Sequence, residues 1–556
     1  MNLVAVLSRL YVQVILVGLV CAFLMLRYSS TLPTVMQDEY VYLVQAVLEP
    51  IASNEYGNFL HSAVYSRVLV FGDNFYLSVK AINTVFLLAF GFATVVLSRK
   101  FLPLWSGGLL GVITALSATS LYSSVFMPEM MFYALAAWAI AFFVLGWETE
   151  RPKAWWFLAS LVAVVLAGLT KPHALILVLG IISFVFVMLA MRRITLTKAT
   201  PLLAAFSAGY VVLKLCLGFL LAGPNGLSLI GPNYEQALRR FFDRFSWFGE
   251  GALSASAGAM NPVSTQGAAS FGAFALGQTL LLTIGFSFMT MGLPLLLIKP
   301  FSRLTDYQLL TIAISVVYIV AIAGFTAFVS FTGDDHSNRL LGRYFEFLIP
   351  LVLIACFVEV ERRVQVRGAR KVAIFLATPT LAALWWLILA KADLKLADSA
   401  ILLGSFRSEF LPWLVIASLA VVVFAFSQGP KHLLAITVTS TLLVVASIGL
   451  SVQQRQLELN SVKIGADFAG DTLRQSYADV PGGEVLIVGT NEQLAFVTKF
   501  WSVKKGVEHI ILSPGTGLSI QDPALDSFSL VVELSGVVVV NGSLLAEGEG
   551  YRIFGK

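Results

Sequence analysis

Four short stretches of this sequence combine residue types that can do chemistry. The first is Gln37-Asp38-Glu39-Tyr40, which follows the first hydrophobic segment and a proline, Pro33. A carboxylate held there could take a proton from a hydroxyl group as general base. Adjacent acids point in different directions, so Asp38 is expected to be the base and Glu39 an orienting or metal-binding neighbour. The plain alternative is a hydrated loop start. The second stretch is Met127-Pro128-Glu129, a tight turn between two apolar runs. A charge that close to hydrocarbon is costly and is commonly functional or paired. Equally, an acid after a proline suits the first turn of a helix. The third is Thr170-Lys171-Pro172-His173, where Lys171 could bind a lipid phosphate or belong to a polar turn. The fourth runs from Asp334-Asp335-His336-Ser337-Asn338-Arg339 to Gly342-Arg343-Tyr344, with Pro350 beyond. Arg339 and Arg343 are four apart and share a face if helical. Two guanidinium groups on one face suit a phosphate or pyrophosphate, and the alternative is interfacial anchoring. The acids beside His336 lack a second ligand set that would define a metal site.

The elements that must position these residues are membrane helices. The chain has 556 residues, 58% hydrophobic and 12% charged, where a soluble domain carries about 25% charge. Runs of roughly 20 apolar residues fall near 5–27, 81–98, 104–123, 131–147, 155–170, 173–191, 201–222, 274–298, 307–330, 345–360, 371–390, 411–427 and 432–451. They predict about thirteen transmembrane helices, the first retained rather than cleaved as a signal peptide. The net charge of +5 sits in short basic clusters between runs, a topology signal and not a nucleic-acid footprint. Arg99–Lys100, Arg151/Lys153, Arg192–Arg193, Lys299/Arg303, Glu361–Lys371 and Lys431–His432 occupy alternate connections. The positive-inside rule makes those cytoplasmic. All four chemical stretches then face the other compartment, in a bacterium the outer side of the plasma (inner) membrane. Cys21, Cys216 and Cys356 lie in apolar runs and read as small core residues.

The expected organisation is a transmembrane domain, 1–451, and a soluble extracytoplasmic α/β domain, 452–556. The outer connections are loop 1 (about 28–80), a large loop (about 222–274) and a third at about 331–344. Tyr40, Tyr42, Leu43, Val47 and Leu48, and later Val64, Leu69 and Val70, have the spacing of amphipathic helices at the membrane interface. The large loop carries Arg239/Arg240 beside Phe241/Phe242 in the same manner. Beyond Gly465, GEVLIVGT, EHIILS, FSLVVEL and VVVVNG predict strands, with NEQLAFVTKFWSV a helix.

The order of these motifs resembles the GT-C class of integral-membrane glycosyltransferases, which includes protein O-mannosyltransferases and lipid A aminoarabinose transferases. In that class the first outer loop opens on an acidic motif, matched by Asp38–Glu39. A second acid commonly lies in the next outer loop, matched by Glu129. Gly342-Arg343-Tyr344 with Pro350 looks like a late motif of several bacterial members. The resemblance covers about 360 residues by layout but only about a dozen by motif. It implies a polyprenyl-phosphate-linked sugar as donor and a lipid, glycan or protein hydroxyl as acceptor. Asp38 would be the base of an inverting transfer. Arg343, Arg339 or Lys171 would meet the donor phosphate, with Tyr344 and His336 beside them. Arg239 and Arg240 would serve the acceptor or the loop. Some members use a divalent cation, Mg or Mn, which Glu39 and Glu129 could hold. A polysaccharide polymerase or O-antigen ligase is the alternative, and would lean on Arg239/Arg240 or His336 rather than Asp38. A lipid-glycan transporter or flippase would call for charges at the bilayer midplane, where Lys214 is the main one.

Overall fold

The computed structural model describes residues 8–244 apart from 35 and 149–153, residues 301–361 apart from 333–341 and 345, and residues 445–556 apart from 447–448, 459 and 535. The body is helical, because apolar segments in hydrocarbon can pair their backbone groups only within themselves. In chain order the described helices are α1 (Leu10–Tyr28), α2 (Met36–Leu43), α3 (Phe59–Tyr65), α4 (Phe75–Phe101), α5 (Ser106–Leu116), α6 (Glu129–Trp147), α7 (Ala154–Thr170), α8 (Ala174–Ala190), α9 (Leu196–Ala204), α10 (Tyr210–Ala222), α11 (Pro232–Arg244), α12 (Asp306–Thr332) and α13 (Ile349–Glu361). Leu10–Tyr28, Val68–Phe101, Glu129–Trp147, Leu196–Gln236 and Asp306–Thr326 are long and apolar enough to cross a membrane, and four shorter apolar helices accompany them. The chain is an integral membrane protein. The runs expected near 274–298, 371–390 and 411–427, and most of 432–451, lie outside the described residues.

One expected span is shorter than its apolar run. The run at 104–123 is α-helical only to Leu116, and Ala118–Ser124 is a 3₁₀ turn. The hydroxyls explain the break. Ser117 Oγ donates to the Thr114 carbonyl at 2.8 Å, Ser123 Oγ to Ser120 at 2.6 Å and Ser124 Oγ to Leu121 at 2.7 Å, so side chains compete with the helical ladder. Helix α6 is apolar all round and buried nearly all round, the expected pairing for a central helix. Helices α1, α4 and α5 meet closely at Gly111, where a Cβ would fall 2.6 Å from Val95 and 2.7 Å from Val17. Cys21 and Cys356 are core residues as expected. Cys216 is exposed on α10, in a segment apolar enough to cross the membrane, so hydrocarbon rather than protein surrounds it.

The C-terminal region adds α14 (Gly465–Ser476) and α15 (Glu492–Ser502) and strands β1 (Val485–Gly489), β2 (Glu508–Ile511), β3 (Gly517–Ser519), β4 (Leu530–Leu534), β5 (Val538–Val540), β6 (Ser543–Gly548) and β7 (Tyr551–Gly555). The main sheet runs β2-β1-β4-β7-β6. Strand β1 is parallel to β2 and β4, and β7 is antiparallel to β4 and β6. Every residue of β1 and β4 is buried, as continuous apolar strands covered on both faces should be.

Loop 1 departs from expectation. Its segments are helical, but Leu43, Tyr65 and Val68 are buried in one cluster with Ala466, Phe500 and Trp501 of the C-terminal region. Protein, not lipid, covers that face. Val64, Val70 and Phe71 remain exposed.

Candidate functional site

Helix α2 is only eight residues long, and isolated helices of that length are unstable in water. Its direction is therefore set by what its side chains grip. Three successive residues, about 100° apart on a helix, engage three different partners. Asp38, whose side chain is 36% exposed, accepts from Arg343 Nη1 through Oδ2 at 2.9 Å. Glu39 is fully buried. It accepts from the Thr34 N–H at 2.7 Å and the Phe126 N–H at 2.8 Å, and its Oε1 lies 2.7 Å from the Tyr76 hydroxyl. Tyr40 turns to the C-terminal region and donates to the Lys504 carbonyl at 3.2 Å.

The other chemical residues converge on Asp38 from three helix ends. Glu129 opens α6 and is fully buried. Lys171, in the turn between α7 and α8, places Nζ 2.5 Å from Glu129 Oε1. Arg343 is 9% exposed and lies between the two acids, with Nε 3.7 Å from Glu129 Oε1. Burial opposes its charge, but Tyr344, Asp38 and Glu129 favour the charge and prevail, so Arg343 is held cationic. The Tyr133 hydroxyl donates to the Arg343 carbonyl at 2.5 Å and fixes the backbone there. Two cations and two carboxylates thus form one chain, Asp38–Arg343–Glu129–Lys171. Buried ions persist when paired this way.

Aromatic side chains wall this chain. His173 stacks on Tyr344 with ring centroids 4.1 Å apart, and Phe325 meets His173 edge-on at 5.7 Å. Lys171 Nζ lies 4.7 Å from the Tyr344 centroid, within cation–π reach. Burial, then Lys171 and Arg343, depress His173 well below the ordinary histidine range, so it is neutral. Tyr42 feels both Glu129 and Asp38 and, chiefly through burial, is held protonated. Behind Tyr42 lies His61, fully buried between Tyr42 (5.5 Å), Tyr65 (4.6 Å) and Phe126 (5.5 Å). Burial and the nearby Lys171 lower it to about 3. At this ion chain and its aromatic wall, buried Glu129 Oε2, Arg343 Nε and His173 Nδ1 are among the described polar atoms that lack a hydrogen-bond partner. Such atoms cost about 1–3 kcal/mol each and mark a place where a polar ligand or water fits.

Asp38, Glu129, Lys171, Arg343 and Tyr344 come together, then, although 305 positions separate the ends of one ion pair. Arg343 is not on a helical face, as the four-residue spacing with Arg339 predicted. It sits in a single 3₁₀ turn, Gly342–Tyr344, before α13. Arg339 and His336 lie outside the described residues. Arg239 is exposed on α11, and of Arg240 only its place in α11 is described. Among the described residues no three histidine, cysteine or carboxylate side chains group as metal ligands. Glu39 is a poor fit to a cation, since backbone N–H donors and a hydroxyl occupy it. Lys214 donates to the Leu229 carbonyl. Lys80 stands near the start of α4. It is buried and caps the end of α1, donating to the Tyr28 and Thr31 carbonyls at 2.9 and 2.5 Å. His61 and Tyr42 were missed as site residues, their only sequence signal being aromatic density near Asp38, and His173 was noted only as part of the Lys171 stretch.

No family model and no curated protein matches the chain. Solved structures do. The chain is similar to ArnT from Cupriavidus metallidurans. In the apo state the identity is 14% over 97% of both chains with a TM-score of 0.47, and in the form bound to undecaprenyl phosphate it is 12% over 97% of both with 0.48. The apo Archaeoglobus fulgidus oligosaccharyltransferase is similar at 11% identity over 89% of this chain and 64% of that one, with a TM-score of 0.44.

Proposed function

We propose that the protein is a membrane glycosyltransferase that moves a sugar from a polyprenyl-phosphate donor to a hydroxyl acceptor on the outer face of a bacterial plasma membrane. The observation that carries this reading is the half-exposed Asp38 carboxylate at 2.9 Å from a buried arginine that also faces Glu129. A base and a phosphate-binding cation are therefore side by side, at the helix ends that the charge pattern assigns to the outer side. The acceptor oxygen attacks the anomeric carbon, the bond from that carbon to the phosphate oxygen breaks, and Asp38 takes the acceptor proton. A direct displacement inverts the anomeric centre.

The donor phosphodiester carries one negative charge and leaves as a phosphate monoester with more. Arg343 and Lys171 can neutralise that growing charge, the kind of preorganised stabilisation that contributes most to catalysis. Glu129 holds the two cations in place before the donor arrives, and Arg343 Nε, which faces Glu129 but makes no hydrogen bond, supports a place for a phosphate oxygen. Neutral His173 can donate to another oxygen without adding charge. Helix α7 ends and α8 begins at this point, and α12 reaches it through Phe325, which suits a lipid whose tail lies between helices and whose head sits at the membrane surface.

The deciding substitution is Asp38→Asn. In a strain lacking the protein, the lipid-linked sugar that accumulates identifies the donor. Wild type should clear it, and Asp38→Asn should fail to do so while reaching the membrane in normal amount. Clearance by the variant would remove the base from this reading.

A further inference from the structure

We infer that α15 of the C-terminal region is a positioning element for Asp38, so that the soluble domain forms one wall of the catalytic apparatus. This rests on the reading of Asp38 as the base. The case begins with the length of α2. An eight-residue helix cannot hold its own direction, and Asp38 must present its carboxylate within a fraction of an ångström to be useful as a base. Two of the three grips on α2 come from the membrane body, Arg343 on Asp38 and the Tyr76–Phe126 pair on Glu39. The third, on Tyr40, comes from α15 and from Lys504 just after it.

The contact is continuous. Phe496, Lys499 and Phe500 lie at i, i+3 and i+4, one face of α15. Phe496 meets the Tyr40 ring at 6.3 Å, and Lys499 Nζ lies 5.8 Å from the centre of that ring. Phe500 packs edge-on against Tyr76 at 5.4 Å, and Trp501 meets Tyr76 at 6.0 Å and Phe75 at 5.7 Å. Tyr76 is the residue whose hydroxyl reaches Glu39, next to Asp38. Phe500 therefore touches the side chain that fixes the neighbour of the base, while Phe496 touches Tyr40 on the other side of the same base. Around this core, Arg474 pairs with Asp73 and Lys505 with Glu49, each at 2.9 Å. The Leu32 N–H donates to the Asn460 carbonyl at 2.7 Å. An appended module would not share a single buried cluster with the loop that carries the base.

The test uses the full-length protein in lipid nanodiscs, with the lipid-linked sugar extracted from the strain that lacks the protein as donor. Phe500→Ala should lower kcat about 10- to 100-fold, the scale of an ångström-level misplacement, with KM for the donor within about twofold, since the groups proposed to meet the phosphate are untouched. Phe500→Leu, which refills most of the space, should recover most of that loss. In an Asp38→Asn background, Phe500→Ala should lower the residual rate no further, because there is no base left to misplace. A second handle avoids the core. Lys505→Glu should lower kcat by placing two acids together, and Lys505→Glu with Glu49→Lys should restore it. An unchanged kcat in Phe500→Ala, or an equal further loss in the Asp38→Asn background, would overturn the inference. If Asp38→Asn itself retains full activity, the functional reading fails instead, and the two failures are distinct.

Discussion

Arg343→Lys asks whether shape or charge alone is needed at the centre of the site. The guanidinium makes three directed approaches: Nη1 to Asp38 at 2.9 Å, Nη2 to the Tyr344 hydroxyl at 3.3 Å, and Nε toward Glu129 at 3.7 Å. A lysine ammonium is a single point and cannot span Asp38 and Glu129 together. The substitution keeps the balance of two cations against two carboxylates, so folding should be little affected. It forfeits at least one charge-assisted hydrogen bond, worth about 1.5–3 kcal/mol. If that bond is used in the transition state, kcat should fall roughly 10- to 150-fold at about 1.4 kcal/mol per decade. Arg343→Met is the contrast. It leaves two acids facing one cation, and breaking a buried pair costs about 3–5 kcal/mol, so this variant should unfold at visibly lower temperature in detergent. Transfer kinetics and thermal unfolding of both variants, with and without added polyprenyl phosphate, make the comparison. Full activity in Arg343→Lys would refute the bridging role. Unchanged stability in Arg343→Met would refute the charge chain itself.

Two further outcomes follow from the same geometry. Glu39→Gln should act on folding rather than on turnover: its acceptors serve two N–H groups and the Tyr76 hydroxyl, an amide cannot serve them all, and yield in the membrane should drop while each surviving molecule keeps a near-normal rate. A rate loss like that of Asp38→Asn with undiminished yield would contradict this. His61 is lowered to about 3 by burial and Lys171, so the unfolded chain binds its proton at a higher pH than the folded one. Its contribution is fully present above the ordinary value near 6.5 and is lost as pH falls toward 3, at about 1.4 kcal/mol per pH unit. His61→Gln should therefore flatten the fall in thermal stability between pH 6.5 and pH 5, and an equal slope in wild type and variant would show that His61 takes up its proton without cost.

Much of the architecture was legible because the signals are local. Hydrocarbon demands about 20 apolar residues per span, which is visible without any partner. The strands β1, β2, β4 and β5 and the helix α15 announced themselves by short apolar runs and by periodicity. Helix α14 and strands β3, β6 and β7 were not read. Strand β6 is largely exposed, and α14 takes its place from packing on α15 and β7, so neither carries a strong apolar pattern of its own. Helix α5 was over-extended because an apolar count is blind to hydroxyls that cap their own backbone.

The sequence by itself determined that this is a membrane protein with its chemical residues gathered at one set of helix ends, and it picked out Asp38, Glu129, Lys171 and Arg343 by type and by side. It could not say that these four form one chain, because those contacts join residues 42 and 305 positions apart, and no periodicity encodes such a distance. It favoured Asp38 over Glu39 as the base, but it held no physical ground for that preference. Neighbouring acids have the same chemistry in sequence, and only tertiary packing decides that one is half exposed beside an arginine while the other is buried as an anchor. The involvement of the C-terminal region was hidden for the same reason: the face of α15 that reaches Tyr40 and Tyr76 looks, in sequence, like any helix packing on its own sheet.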